Sequence, residues 1–208
     1  MLREQYSKPL DFIKKDILRT YCICFVIFVC ILVLTTYLTY YMVGMDGLKS
    51  LIKGLHETST NENVSTSENQ IWYDFFIHNS LANLFVIISG LIPFLFIPLF
   101  IMIFNAIING FAIGGFALVY QLSFLTSFLS GIAPHGVLEY VVNILGFALG
   151  ITLCRQMISG IKNKNIKTTI PCCIKNNLRV YILVILPVLL IAGIVEATIT
   201  PLVIDLIK

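Results

Sequence analysis

The sequence predicts an all-α fold, a polytopic bundle of about five transmembrane helices. Its composition is the first reason: 58% of the 208 residues are hydrophobic and 12% are charged, whereas soluble domains are about 45–50% apolar and about 25% charged. The distribution of charge is the second, since Glu139 is the only Asp, Glu, Lys or Arg between Phe75 and Cys154. That stretch is long enough for three bilayer crossings of about 20 residues each.

The first transmembrane helix is predicted at 20–43. It follows a mixed-charge arm at 1–19, which we expect in the cytoplasm. The apolar run is too long for the core of a signal peptide, and no small-residue cleavage site follows it. The next segment, 44–73, is rich in Ser, Thr, Asn and Glu. We predict that it forms an extracytoplasmic polar loop.

The apolar stretch 75–120 is too long for a single crossing. As one helix, at 1.5 Å per residue, it would be about twice the length of the hydrocarbon core, which is about 30 Å thick. The segment SGLIP at 89–93 combines Gly and Pro and is typical of a chain reversal. We therefore predict a second helix at 74–90 and a third at 93–120, with Pro98 expected to kink the third.

A fourth helix is predicted at 134–159 and a fifth at 177–201. Pro134 suits the first turn of the fourth helix, where its missing N–H breaks no hydrogen bond. The segment 155–179 carries six cations and no acid. By the positive-inside rule it is a cytoplasmic loop, so the C-terminus is expected outside the cell. We interpret these cations as a sign of topology and predict no nucleic-acid site.

The sequence gives little sign of cofactor chemistry. It has six cysteines, none with the spacing of zinc ligands, and it lacks a Walker motif. We therefore predict no metal and no other cofactor. No catalytic residue is identified.

Polar side chains recur four residues apart inside the apolar segments, as in Asn79 with Asn83 and His135 with Glu139. Residues at this spacing share one face of a helix. An ionised acid at the bilayer centre costs about 2.5–3.5 kcal/mol or more, so such residues usually face the interior and find partners. The predicted intramembrane polar cluster consists of Asn79, Asn83, Asn109, His135, Glu139 and Glu196. Two interpretations are open: the cluster holds the helices together, or it performs chemistry.

Two pairs of glycines are also spaced four residues apart. They are Gly110 with Gly114 in the third helix and Gly146 with Gly150 in the fourth. Small residues at this spacing let the backbones of membrane helices approach each other. We predict that both pairs lie at helix–helix contacts.

Several short motifs resemble those of one known family. They are an Asn in the second helix (Asn79 or Asn83), NGFAIG (109–114), PHGVLE (134–139), Gly150 and VEATITP (195–201). In order and spacing they resemble the stage II sporulation protein M family, over residues 75–205. The resemblance marks 74–208 as the family membrane domain and implies a multi-pass protein of the cell membrane. The namesake helps two partner proteins to assemble a septal peptidoglycan-degrading complex, and relatives accompany the biosynthesis of circular bacteriocins.

Three functions are compatible with these observations. The first is a non-enzymatic scaffold for a membrane complex of the cell-wall remodelling type. The second is a membrane component for maturation, export or immunity of a hydrophobic or circular bacteriocin peptide. The third is an intramembrane hydrolase that uses His135, Glu139 and Glu196. The expected partners are the lipid bilayer, other membrane or cell-wall-associated proteins, a peptide substrate in the second case and a further copy of the chain.

Overall fold

The computed structural model describes residues 13, 17–44, 47, 72–129 and 133–205. Every regular element in this part of the chain is helical, which confirms the predicted all-α class. The six main helices are α1 (Leu18–Leu38), α2 (Trp72–Ser89), α3 (Ile97–Val119), α4 (Ala133–Lys162), α5 (Ile166–Val180) and α6 (Leu186–Asp205). Two π-helical segments, Thr39–Val43 and Tyr181–Ile185, extend α1 and join α5 to α6. The predicted arm as far as residue 12 and the polar loop at 48–71 lie outside the described residues.

Four stretches of helix are long and apolar enough to cross a membrane. They are Leu18–Val43, Ile97–Val119, Gly136–Lys162 and Ile170–Ile199. The chain is therefore a multi-pass membrane protein that contacts the lipid bilayer. The second predicted helix is present as α2, with 18 residues, but it is not among these four candidate spans. Its sequence includes Asp74, His78 and two asparagines, which lower its apolar character.

A short reversal joins α2 to α3 at the SGLIP segment. Phe96 caps the start of α3 in the left-handed conformation, with φ +45° and ψ +37°. Pro98 follows in the first turn of α3, where no intrahelical hydrogen bond needs its N–H. The expected kink at Pro98 is therefore wrong, because this proline lies at the beginning of the helix and not inside it.

The basic segment 155–179 is mostly helical, although we expected a loop. α4 continues to Lys162, a short turn follows, and α5 begins at Ile166. In that turn Lys164 has φ +55°. α5 is amphipathic: Cys173 is buried in the bundle, whereas the lysines of this helix are exposed. A basic sequence can thus remain helical when its cations share the outer face.

α4 is the central helix of the bundle. Of its most apolar stretch, 61% is buried, compared with 28–33% for the other three candidate spans. Every residue from Ile144 to Gly150 is buried. Side chains from the surrounding elements, including Phe28, Met102 and Ile185, join this part of α4 in one apolar core. Polar groups on α4 are therefore positioned to meet several neighbouring helices.

The helices form two parallel pairs. Along α2 and α4, Asn79 meets Glu139 near the start of both helices, and Gly90 meets Gly150 further along. Because both contacts run in the same direction along the chain, α2 and α4 are parallel. α1 and α3 are parallel by the same criterion, since Gly110 approaches Thr35 and Gly114 approaches Thr39. First and third helices agree in direction, as do second and fourth.

Candidate functional site: an intramembrane polar ladder

The polar side chains of α2 and α4 face each other at two successive levels. Asn79 Nδ2 donates a hydrogen bond to Glu139 Oε1 at 2.5 Å, and Asn83 Nδ2 donates to Asn143 Oδ1 at 2.6 Å. Asn83 Nδ2 also donates to the carbonyl oxygen of Asn79 at 3.1 Å. Both side-chain pairs are 60 residues apart in the sequence, because the same four-residue spacing occurs on two parallel helices. We call these four residues the polar ladder.

Glu196 on α6 lies near the Asn79–Glu139 pair of the ladder. Its half-buried carboxyl group acts electrostatically on that of Glu139. α6 runs antiparallel to α2. Tyr181, just before α6, bonds to Ser80, and further along α6 a Cβ on Gly193 would lie 3.0 Å from the carbonyl oxygen of Trp72, at the start of α2. The structure therefore brings two intramembrane acids from α4 and α6 to the same end of the bundle.

Asn109 takes part in a different contact of α4. The hydroxyl of Tyr140 donates to Asn109 Oδ1 at 3.0 Å, and Asn109 Nδ2 donates to Asn105 Oδ1 at 3.0 Å. The ring of Tyr140 also packs on Phe28, with centroids 5.4 Å apart. The cluster predicted from the sequence is therefore divided, because Asn109 reaches α4 through Tyr140 and not through the ladder.

Two tyrosines of this interior were not predicted from the sequence. Besides Tyr140, the hydroxyl of Tyr181 donates to the carbonyl oxygen of Ser80 at 2.9 Å in a buried position. A general rule could have identified both tyrosines as candidates, because a buried tyrosine usually finds a hydrogen-bond partner for its hydroxyl. In the described part of the chain, some buried polar groups have no hydrogen-bond partner: Ser80 Oγ, Thr152 Oγ1, Gln156 Oε1 and the carboxamide of Asn177.

The histidines have different placements. The backbone of His135 lies in the first turn of α4, whereas its side chain lies outside the described part of the structure. The predicted membership of His135 in the cluster therefore stays a prediction. His78 is exposed on α2. No three described His, Cys, Asp or Glu side chains are close enough to hold a metal ion.

Gly146 and Gly150 lie where α4 meets α2. A Cβ on Gly146 would collide with Asn83 Oδ1, so this glycine leaves the space in which the asparagine reaches Asn143. A Cβ on Gly150 would lie 2.8 Å from the carbonyl oxygen of Val86. The glycine spacing on α4 thus allows the close approach that brings the ladder residues within hydrogen-bonding distance.

Chemically, the ladder pairs amide donors on α2 with oxygen acceptors on α4. An ionised carboxylate is an acceptor only, and an asparagine oxygen accepts equally well. Hydrogen bonds between membrane helices average about 0.6 kcal/mol and reach about 1.7 kcal/mol. Two such bonds at fixed levels disfavour a slip of one helix along the other, so the arrangement specifies register.

We expect Asn83→Ala and Asn143→Ala to be coupled in stability. Each substitution removes one partner of the 2.6 Å bond, so the double variant should lose less free energy of unfolding than the two single losses added together. The expected coupling is about 0.6–1.7 kcal/mol. The measurement is reversible unfolding in detergent micelles or bicelles for all four proteins.

A second cycle provides the control for this prediction. It combines Asn83→Ala with Asn163→Ala, because Asn163 is exposed and bonds only locally, to Ser159. These two substitutions should be additive. Additivity in the Asn83–Asn143 cycle as well would mean that the interhelical bond contributes nothing to stability.

Comparison with known proteins agrees with the motif resemblance. The family model described as Stage II sporulation protein M matches residues 23–201. The matched region includes four of the helices in full, and the whole polar ladder lies within it. No curated protein and no solved structure matches the chain.

Proposed function

The chain belongs to the Stage II sporulation protein M family, and from this premise we propose that it is a non-enzymatic membrane scaffold. It would assemble or anchor a membrane complex of the cell-wall remodelling type. The observation that carries the proposal is the use of the interior polar groups. Asn79 bonds to Glu139 and Asn83 to Asn143, so these groups connect helices to one another.

The direction of the helices and the distribution of charge support one orientation in the membrane. We infer that α2 is a fifth crossing, because α1 with α3 and α2 with α4 alternate in direction as successive crossings must. The cation-rich segment 155–179 has no acid and would lie in the cytoplasm. This orientation leaves the N-terminus in the cytoplasm and the C-terminus outside the cell.

The outer faces of the bundle provide the surfaces for assembly. Of the four candidate spans, the one that contains α1 is the least buried, with 28% of its most apolar stretch inside the bundle. Ile23, Val26 and Leu34 are among its exposed apolar side chains. Such a face contacts lipid, and it is also where the helices of membrane partners or of a second copy would pack.

Glu139→Gln separates a scaffold from a hydrolase. Glutamine keeps an oxygen that accepts from Asn79 Nδ2, but it cannot act as a general base or a nucleophile. We expect Glu139→Gln and Glu196→Gln to complement a deletion strain as well as the wild type and to co-purify with the same proteins. Glu139→Leu, which removes the acceptor, should lower the free energy of unfolding by about 1–3 kcal/mol and reduce both readouts together.

The other outcomes identify the alternatives. If Glu139→Gln stays folded and keeps its protein partners but loses complementation, the scaffold proposal fails and the carboxyl group performs chemistry. If the wild type co-purifies with a small hydrophobic precursor peptide and not with cell-wall-associated proteins, the chain serves peptide maturation, export or immunity. Measuring unfolding, partners and complementation on the same variants keeps these cases apart.

A further inference from the structure

An apolar groove lies between α2, α4 and the helix formed by α5 and the following π-helical segment. Its volume is about 250 Å³, and its wall includes Leu84, Leu91, Leu153, Ile174 and Leu178. Ile174 and Leu178 are 40% and 47% exposed, so the groove is open on the side of the bundle. Its wall at Ile174 and Leu178 belongs to the candidate span Ile170–Ile199, which places the groove beside lipid chains.

Lys167 stands at one end of this groove, and Lys175 lies beside its wall. Lys167 precedes Ile174 by seven residues and Leu178 by eleven, spacings that place all three on one face of α5. Lys175 is adjacent to Ile174, and both lysines are exposed. No Asp or Glu occurs in the sequence between Glu139 and Glu196. The groove therefore combines an apolar wall with two exposed lysines, Lys167 at one end and Lys175 beside the wall, on a helix that carries no acid.

We propose that this groove binds one anionic phospholipid. One acyl chain lies along Leu84, Ile174 and Leu178, and the phosphate group contacts Lys167 and Lys175. The placement of charge favours a lipid over a partner helix. Lys167 lies at the end of the groove, where a lipid headgroup would be, and α5 carries no acid that would repel a phosphate.

The test is native mass spectrometry of the full chain with two lipids of identical acyl chains, phosphatidylglycerol and phosphatidylcholine. We expect the wild type to retain phosphatidylglycerol preferentially. A juxtamembrane cation contributes about 1 kcal/mol to binding an anionic lipid, equivalent to about five-fold in affinity. Lys167→Gln combined with Lys175→Gln should therefore lower retention of phosphatidylglycerol by about 30-fold and leave that of phosphatidylcholine unchanged.

Two matched variants control for charge and for bulk. Arg155→Gln also removes a cation near the end of α4, but Arg155 faces α1 and bonds to Thr20, so retention should not change. Ile174→Trp fills the groove and should reduce retention of both lipids. Val29→Trp places the same bulk in a different apolar groove, between α1 and α4, and should leave retention unchanged. If Ile174→Trp fails to fold, Leu178→Trp replaces it, because Leu178 is more exposed.

Three results would overturn the proposal. Equal retention of the two lipids by the wild type would remove the role of charge. Unchanged retention in a folded Ile174→Trp or Leu178→Trp variant would remove the groove. Loss of a co-purifying membrane protein from these variants, with phosphatidylglycerol still retained, would identify a protein segment as the occupant.

Discussion

Gly150→Val should strongly destabilise the folded bundle. A Cβ on Gly150 would lie 2.8 Å from the carbonyl oxygen of Val86 and 2.8 Å from Cγ of Pro98. Both atoms belong to rigid parts of neighbouring helices and cannot rotate away as a flexible side chain could. Overpacking a core with extra methylenes costs about 1–3 kcal/mol and sometimes more. Valine adds three carbon atoms, and a whole domain is stable by only about 5–15 kcal/mol.

The contact at Gly150 is severe because two glycines meet there. A Cβ on Gly90 would collide with the carbonyl oxygen of Gly150 itself. A shift of α2 away from α4 that made room for valine would therefore also separate Asn79 from Glu139 and Asn83 from Asn143. The steric and polar contributions are lost together, which is why we expect this single substitution to have the largest effect on stability.

The measurement is thermal unfolding and size-exclusion chromatography of detergent-purified Gly150→Val. We expect aggregated protein or an unfolding temperature lowered by more than 10 °C, at about 2–4 °C per kcal/mol for a chain of this size. Ala82→Val is the control, because Ala82 is an exposed position on α2 and should tolerate the same residue. A Gly150→Val protein as stable as Ala82→Val would show that the helices are not in close contact at this level.

Much of the fold was predictable because the bilayer restricts the choice of structure. In hydrocarbon, backbone groups must bond within their own segment, so apolar runs become helices. The reversal at SGLIP and the start of α4 near Pro134 were visible for this reason. Pro98 was misjudged because the sequence does not show where the turn before α3 ends. Here that turn extends to Phe96, so Pro98 lies in the first turn of the helix and not inside it.

The site was predictable as faces of helices but not as pairs of residues. Four-residue spacing placed Asn79 with Asn83 on one face of α2, independently of any neighbour. Which residues they meet depends on the axial position of α2 relative to α4. That position depends on the contact between Gly90 and Gly150, which lies about two turns from Asn83. The same limit applies to Asn109, whose partner Tyr140 lies next in the chain to Glu139 and could not be identified from spacing alone.

The helical form of the basic segment illustrates a different limit. A segment with six cations and no acid is expected to be exposed. That expectation is met equally by a loop and by one face of a helix. What decides is the other face, where Cys173 packs against Leu153 and Met157. Those contacts join α5 to α4 across a turn and are not visible in the charge pattern.

The second large effect is expected at the contact of α1 with α3. A Cβ on Gly110 would lie 2.6 Å from the carbonyl oxygen of Leu32, and one on Gly114 would lie 2.7 Å from Cβ of Thr39. The threonine hydroxyls of α1 bond within their own helix, Thr36 to Leu32 at 2.7 Å and Thr39 to Thr35 at 2.8 Å. α1 therefore packs on α3 through close backbone contact and not through hydrogen bonds between the helices.

Gly110→Val combined with Gly114→Val should detach α1 and leave the rest of the bundle assembled. α1 is the least buried span, whereas α2, α4 and α6 hold each other through the ladder and through Gly193. The measurement uses a protease site inserted in the polar segment at 58–68, followed by cleavage and size-exclusion chromatography. The α1 fragment should separate from the glycine variant and remain bound in wild type and in Ala112→Val, an exposed substitution between the two glycines. Co-elution of the fragment with the glycine variant would mean that other contacts of α1, such as Phe28 with Tyr140, are sufficient to hold it.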